Sequence, residues 1–600
     1  MVNKKKENLN LAEEIDRLEP EEQLKICMSY GHVGLAYYFN MVSDDLCYNI
    51  DTAEWYNYID PYWEADKGHV VIGLIDVRIV DKLDALFVVE DGVRQQIEIE
   101  LSEKRELRLV ARKDVKEVQK GLNMAKRELV KVIGKDDERT NFEEGRVESR
   151  RLEVEEAEEA QEKAEAEYNV TYGMLRVQKR IVSAMAKDIK SYREAAGRKN
   201  LLSVASTSVN TRRVKNDDFD ADPSLLCCQN TVLKFGKSGL VTEVNPSPEL
   251  LLKNVMGCDF VPGARNEKWI SSAYEVCGEK YEETPDEESQ VKYLLRIFGA
   301  SLVGQGYKLR HIPILWGPEA QSGKDTCWNE PFIELFGGYG IEHSSQLLMK
   351  ESFSRSSAAA DPALLSLPGK RICMMREVEN GQQLSVMKVK SLTGGMRATG
   401  RQLHSSEYEY QKRIISQCFL TVNEVPVVPN SDRGCQLRMG IVHFPFSYID
   451  FPQKENEKNR DIDLEDLIKS DLPGILNILI EGWQDWIAGE RSLRVPEKAR
   501  ITTAEYFESI DQLAPWISDK ILTNDEYSER YLIEPPERIS AGEVYKSYCD
   551  WFYDLTRKKG MSSNMFTRLM KKKGFDWQKI GGKPWYYGIV IDNSTKDKSE

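Results

Sequence analysis

The chain has 600 residues, 41% hydrophobic and 30% charged, with a formal net charge of −15. That length exceeds what one hydrophobic core serves, so several domains are expected. The acidic balance excludes a protein that coats nucleic acid over its whole surface, yet a local basic channel remains open to it because screening weakens contacts beyond about 10 Å.

Eleven cysteines are scattered, and only Cys227 and Cys228 lie together. No Cys-x-x-Cys or Cys/His spacing offers a zinc site or a disulfide framework, so they read as thiols in a reducing compartment. The opening residues lack a signal-peptide pattern and no apolar run approaches 18 residues, which predicts a soluble intracellular protein with no membrane partner.

Residues 1–30 are charged and helical in pattern. From Gly31 to about Asp66 aromatics accumulate, among them Tyr37, Tyr38, Phe39, Trp55, Tyr56, Tyr58, Tyr62 and Trp63. Base stacking would call for basic neighbours, and few Lys or Arg lie here, so a small packed domain is expected over 1–100. Residues 103–199 are rich in Glu, Lys, Arg, Ala and Gln, with a Gly-Lys-Asp-Asp break at 134–137. This composition predicts one or two long solvated helices, arranged as an antiparallel hairpin, in an insertion spanning 101–200. Leu122, Leu129, Val132 and Ile133 supply a weak apolar stripe.

Globular texture returns near Arg212. Phe219-Asp220-Ala221-Asp222 resembles the apolar-Asp-x-Asp metal motif of one primase class, but Pro223 follows at once and no partner His-containing strand is recognisable. Asn230 to Val244 reads as a hairpin and 265–306 as helices, giving a helical domain over 201–285.

Residues 311–326 organise the rest. Ile312 to Trp316 is an apolar run that predicts a short buried strand. Gly317, Pro318, Glu319, Ala320, Gln321, Ser322, Gly323, Lys324, Asp325 and Thr326 follow, and Cys327 to Phe336 can be helical. Strand, glycine-punctuated loop with lysine, then helix is the layout of a phosphate-binding loop. The glycines let N–H groups turn toward phosphates, Lys324 would reach the β/γ-phosphates, and the helix N-terminus favours an anion. The loop departs from the usual spacing by one residue, and Asp325 stands where a Mg²⁺-binding hydroxyl is usual.

A second strand-like run, Ile372 to Met375, ends beside Arg376 and Glu377. An acid there suits Mg²⁺ and an attacking water, so Glu377 is assigned that role, with Glu379 second. The flanks of Arg397 to Arg413 alternate like a hairpin around a polar centre, His404-Ser405-Ser406. A third run, Cys418 to Val422, ends in Asn423, whose amide can orient water at the γ-phosphate. Arg433, Arg438 and Ile441 to Phe446 come next.

With these residues in order, the chain resembles the superfamily 3 helicases of phages, plasmids and large DNA viruses, AAA+ ATPases often fused to primases. The likeness rests on the loop and on Lys370-Arg371, Glu377, Lys390, Thr393-Gly394-Gly395, Arg401, Asn423, Asp432 and Arg438 with Phe444. Upstream, Asp218–Leu226, Asn230–Leu233 and Tyr293–Gly304 look like the family's helical domain. Downstream, Leu472–Leu476, Glu481-Gly482, Pro496 and Tyr506 to Asp511 look like its lid. Departures are Asp325, Arg376 in place of a second acid, and Met396 in place of an Asp. No recognisable primase module precedes the helicase region.

The C-terminal block, Ile539–Ile591, reads as a winged helix: Ala541–Tyr553 an amphipathic helix, Ser562–Lys573 a second, and Trp585–Ile591 a strand after a Gly-Gly-Lys turn. Arg568, Lys571, Lys572 and Lys573 would make a phosphate-contacting face.

The expected fold class is α/β, a P-loop AAA+-like core (286–450) with a helical lid (451–530) and a winged-helix DNA-binding domain (531–600). The resemblance implies an ATP- and Mg²⁺-dependent replicative DNA helicase, a homo-hexameric ring on single- and double-stranded DNA, serving a phage, provirus or plasmid. It would meet a primase or other replication proteins in the cytoplasm, the host's for a viral protein. Asp325 and Glu377 would hold the metal, Glu377, Asn423 and Arg438 would act in catalysis, and Arg397, Arg401, His404 and Lys412 would touch DNA in the pore. Two other readings use the same core: a DNA-triggered ATPase switch that does not unwind, and a nucleotide-binding scaffold that does not hydrolyse.

Overall fold

A computed structural model describes residues 15, 17–134, 137–350, 362–376, 382–400, 410–428, 433–509, 513–557 and 559–592. The chain divides into two compact units, one of residues 1–59 and 64–216 and the other of 60–63 and 217–600. It is a mixed α/β protein with several separate sheets. Among the described residues no helix is long and apolar enough to cross a membrane.

The first unit begins with helices α1 (Pro20–Ser29) and α2 (Gly31–Met41) and the antiparallel strands β1 (Leu46–Asn49) and β2 (Glu54–Ile59). Two long helices follow, α3 (Asp81–Val132) and α4 (Asp137–Arg193). They lie antiparallel, because Glu98 meets Lys179 while Arg108 and Arg112 meet Glu165. Their seam is thin near the tip, with Val115, Leu122, Ala125 and Val154 buried, and thickens toward Leu175, Val182, Met185 and Ile189. At its base the seam joins the core of α1, α2 and α5 (Ala195–Ala205), built on Leu35, Phe39, Ile75, Tyr192 and Leu201. Strand β3 (Arg213–Val214) then pairs parallel with β1.

The second unit opens with an antiparallel sheet of β4 (Leu225–Cys227), β5 (Val232–Phe235) and β6 (Val241–Val244), followed by helices α6 (Glu267–Val276) and α7 (Gln290–Leu302). The Phe219–Asp222 stretch is a structural clamp. Asp220 sits in the left-handed region and accepts from the backbone of Lys253 and Asn254 and from the Asn254 amide.

The largest sheet holds β7 (Ile312–Trp316), β8 (Gly340–Ser344), β9 (Ile372–Arg376), β12 (Gln417–Val422) and β13 (Met439–His443), in the order β13-β7-β12-β9-β8 and parallel throughout. Helix α8 (Glu330–Phe336) follows β7, and between β9 and β12 lie β10 (Arg397–Gly400) and β11 (Tyr410–Arg413). Parallel strands are covered on both faces, which is why β9 and β12 read as unbroken apolar runs. Alternate side chains divide between two cores. Ile372, Met374 and Phe419 enter one with Trp328 and Phe298, and Cys373, Met375 and Leu420 enter the other with Leu392 and Ile441.

Beyond β13 come the short parallel strands β14 (Ser447–Ile449) and β15 (Glu457–Asn459) and helix α9 (Leu472–Ala488), which packs on α7. The C-terminal region has its own core around Trp516, Tyr548, Phe566 and Tyr586. Strand β16 (Arg538–Ser540), helices α10 (Ala541–Thr556) and α11 (Ser563–Lys572), and the hairpin β17 (Asp576–Ile580) and β18 (Lys583–Tyr587) form it, with β18 central in the sheet. The single strand expected over Trp585–Ile591 is broken at Gly588, whose φ of 72° ends β18 before β19 (Ile589–Ile591).

Candidate functional site

The order of the parallel sheet creates a crevice. From β7 the chain crosses to β8 at one edge, and from β12 it crosses to β13 at the other. Connections leaving neighbouring strands in opposite directions open a gap at their carboxyl ends, where α/β sheets bind ligands. The loop Gly317–Lys324 and Asn423 lie just beyond the carboxyl ends of β7 and β12, which stay paired as far as Trp316 and Val422.

The loop is tightly folded. Gly317 N–H donates to the Val422 carbonyl, and a Cβ on Gly317 would stand 2.2 Å from Ser322 Oγ. Gly323 has a φ of 77°, and a Cβ there would press on Val276 and Tyr448. Gln321, within the loop, takes a φ of 60°. Ser447 Oγ donates to the Ala320 carbonyl and Tyr448 N–H to that of Gln321, so β14 fastens the loop's outer side.

Lys324 is 6% exposed, and its Nζ donates to Asn423 Oδ1 at 2.7 Å. Burial lowers its pKa below the usual lysine range, with Asp325 opposing the shift. Among the described residues this buried ammonium has a neutral amide as its close partner and one carboxylate oxygen at 3.8 Å, an under-compensated charge that favours an anion beside it. Among the described residues Ser322 Oγ is buried without a hydrogen-bond partner. These features fit the phosphates of a nucleotide.

Asp325, Thr326 and the loop line a cavity of about 290 Å³ together with Lys268, Tyr448 and Ile462. Among the described residues no group of three His, Cys, Asp or Glu forms a metal cluster. One protein carboxylate plus phosphate oxygens is nevertheless a usual Mg²⁺ environment, so half-exposed Asp325 suits that ion. Glu377, the other expected ligand, lies outside the described residues, as do Glu379, Arg401, His404 and Asp432.

Arg376 turns toward α8 and β8, pairing with Glu330 at 2.6 Å and Glu342 at 2.9 Å. Lys370 and Arg371, which resemble family positions, serve structure: Lys370 Nζ donates to the Gly338 carbonyl, and Arg371 to those of Leu302 and Leu225 while it stacks on Tyr339.

Arg438 stands at the far end of the sheet. Its carbonyl accepts from Ile312 N–H at the start of β7, and its guanidinium donates to the Gly434 carbonyl. A five-residue strand, roughly 16 Å long, separates it from its own loop.

Arg397 pairs with Arg413 and Ala398 with Lys412 across β10 and β11, so these segments form the expected antiparallel pair. Arg397 is exposed, and the Lys412 side chain lies outside the described set. On α11, Arg568 and Lys571 are exposed, Lys571 Nζ lies 3.3 Å from the Trp577 ring centroid, and the Lys572 side chain is likewise outside the set.

Several site residues carried no sequence signal. Trp316 Nε1 donates to the Asn423 carbonyl and its ring lies 4.7 Å from that of His443. Asn329 links Asp325 to Thr421. The Trp316–Asn423, Trp316–His443 and Asn329–Thr421 contacts join positions far apart in the chain, which periodicity and motif spacing do not register.

Residues 34–278 match a family model described as D5 N terminal like, a span that includes the long helical hairpin. The match supports a protein of primase-helicase type. No curated protein matches the chain. Two solved structures of the NrS-1 C-terminal region in its apo A form are similar at 11% and 10% identity, with TM-scores of 0.30 and 0.31. Each covers 62% of this chain, and the overlap takes in 100% and 95% of theirs. That likeness is too low to bear on fold or function.

Proposed function

We propose that the protein is an ATP-hydrolysing DNA helicase of the superfamily 3 type, working as a homo-hexameric ring in phage, provirus or plasmid replication. The observation that carries the reading is the Lys324–Asn423 contact just beyond the carboxyl ends of the paired strands β7 and β12. The D5 N terminal-like match supports the replicative setting. The sheet order supports an AAA+ P-loop core, and the strand–helix–helix–hairpin order at the C-terminus supports a winged helix.

In this reading the loop N–H groups and Ser322 receive the phosphates, and Lys324 exchanges the Asn423 amide for phosphate oxygen. That exchange frees Asn423 to orient the attacking water, with Glu377 as its base. Bound Mg²⁺ would neutralise developing phosphate charge, held by Asp325 and Glu377. Arg438, remote from its own loop, would complete the site of a neighbouring subunit. The nucleoside half would extend into the cavity beside Tyr448 and Ile462. Strand β12 connects Asn423 to the β10–β11 pair, so movement at the phosphate would reach the segment whose Arg397, Arg401, His404 and Lys412 would contact DNA. Arg568, Lys571 and Lys572 would hold duplex phosphates.

The test is DNA-stimulated ATP hydrolysis and strand displacement by the purified chain. We expect both activities in the wild type, and hydrolysis without displacement in the pair His404→Ala with Lys412→Ala. Wild-type displacement by that double variant would remove the pore role, and absence of nucleotide hydrolysis in the wild type would refute the enzyme.

A further inference from the structure

We propose that Asn329 is a positioning residue that presents Asp325 to the divalent cation accompanying the nucleotide, an inference that rests on the nucleotide reading above. Asn329 is fully buried, and both ends of its amide are used. Its Nδ2 donates to Asp325 Oδ1, and its Oδ1 accepts from Thr421 Oγ1 at 3.0 Å. A buried amide is tolerated only when satisfied, so the geometry at both partners is fixed.

The backbone is shaped for this contact. Asp325–Asn329 forms a single π-helical turn, in which Glu330 N–H donates to the Asp325 carbonyl. Closing a turn with i→i+5 bonds brings side chains four apart nearly into line, which is where Asn329 meets Asp325. Such turns are rare and concentrate at functional sites.

With Oδ1 held from inside, the rest of the Asp325 carboxylate faces the cavity. Its side chain is 51% exposed, and Oδ2 lies 3.8 Å from Lys324 Nζ. An exposed aspartate on a loop-to-helix junction would otherwise sample several rotamers, and one cross-link removes that freedom. The relay continues into β12, since Thr421 lies two residues before Asn423. One amide therefore fixes the metal-facing carboxylate to the strand that carries the partner of Lys324. Beside it, the Glu330–Arg376 pair ties the same helix to β9, which holds the helix at a second point.

The experiment measures Mn²⁺ binding by electron paramagnetic resonance, with a non-hydrolysable ATP analogue at saturation, in the full chain. Nucleotide binding in EDTA is measured alongside. Asn329→Ala and Asp325→Asn should each weaken Mn²⁺ binding by about tenfold or more, and Asn329→Ala should leave nucleotide binding in EDTA within about twofold of wild type. Thr421→Val should give a smaller loss of the same kind. The double variant Asn329→Ala/Asp325→Asn should bind Mn²⁺ no more weakly than Asp325→Asn alone, because the amide acts only through the carboxylate. Additive losses in the double variant, or wild-type Mn²⁺ binding by Asn329→Ala, would overturn the proposal and leave the nucleotide site standing. Should Asn329→Ala fail to fold, wild-type Mn²⁺ binding by Thr421→Val would overturn it equally. A wild-type chain that binds no nucleotide at all would instead remove the nucleotide reading itself.

Discussion

The parallel sheet and the long helical hairpin are held together in opposite ways. The hairpin spans 52 and 57 residues, about 80 Å at 1.5 Å per residue, on a narrow seam and exposed ion pairs. Its contacts repeat along its length, so no single one decides whether it forms. The sheet buries each central strand on two faces, and its site depends on a few unique meetings such as Lys324 with Asn423. The difference teaches that damage to the hairpin should be graded, and damage to the crevice nearly all-or-none.

The sharpest way to break the comparison is at Lys324. Lys324→Ala should lower ATP turnover by at least about 10²-fold, as loss of a preorganised phosphate contact does, with the thermal midpoint little changed. Equal hydrolysis rates in wild type and variant would show that the crevice is no phosphate site.

Arg438 tests whether the sheet's far end belongs to another subunit's chemistry. Arg438→Ala should cost roughly 10³-fold or more in rate, in the range of arginines that act across NTPase sites. Mixed with Lys324→Ala subunits it should regain part of the hydrolysis, because some interfaces then keep both residues. Zero activity at every mixing ratio would count against action in trans.

His311, buried behind β7 against the Tyr293 hydroxyl, sharpens the contrast through pH. Burial lowers its pKa from 6.5 to about 4, so the folded chain resists protonation there. Its contribution is complete above pH 6.5 and is lost as the pH falls toward 4, an effect of about 3 kcal/mol on the second unit. Denaturant unfolding at pH 7 and pH 4.5 should show the loss in wild type and a smaller one in His311→Gln. An unchanged pH slope in the variant would refute the assignment.

Asp325→Ser should leave ATP affinity without metal within about twofold or improve it, since the carboxylate adds negative charge beside the phosphates. A large loss in EDTA would mean that the carboxylate holds the loop itself. The smallest effect belongs to the hairpin. Glu165→Gln removes two ion pairs, with Arg108 and Arg112, yet should change stability by less than about 1 kcal/mol. A loss of several kcal/mol would show that the hairpin too rests on unique contacts.

Much of the sheet was legible because doubly buried strands leave unbroken apolar runs, as at Ile312–Trp316, Ile372–Met375 and Cys418–Val422. The glycine-lysine loop after β7 was legible as a turn because its glycines follow from backbone geometry alone. Asn329, Trp316 and Tyr448 were not, since an asparagine, a tryptophan and a tyrosine look the same in sequence whether they line a site or fill a core. Lys370 and Arg371 show the converse: a basic pair that fits a motif spends its donors on the Gly338, Leu302 and Leu225 carbonyls.

By itself, then, the sequence determined the elements with strong local patterning: the long charged helices, the apolar strands and the glycine-lysine loop. Tertiary structure decided the order β13-β7-β12-β9-β8, which residues meet in the crevice, and that Arg438 and Lys324 stand at opposite ends of the sheet. The physical reason is range. Helix periodicity and turn chemistry act over a few residues, whereas strand order and side-chain meetings are set by packing between segments a hundred residues apart.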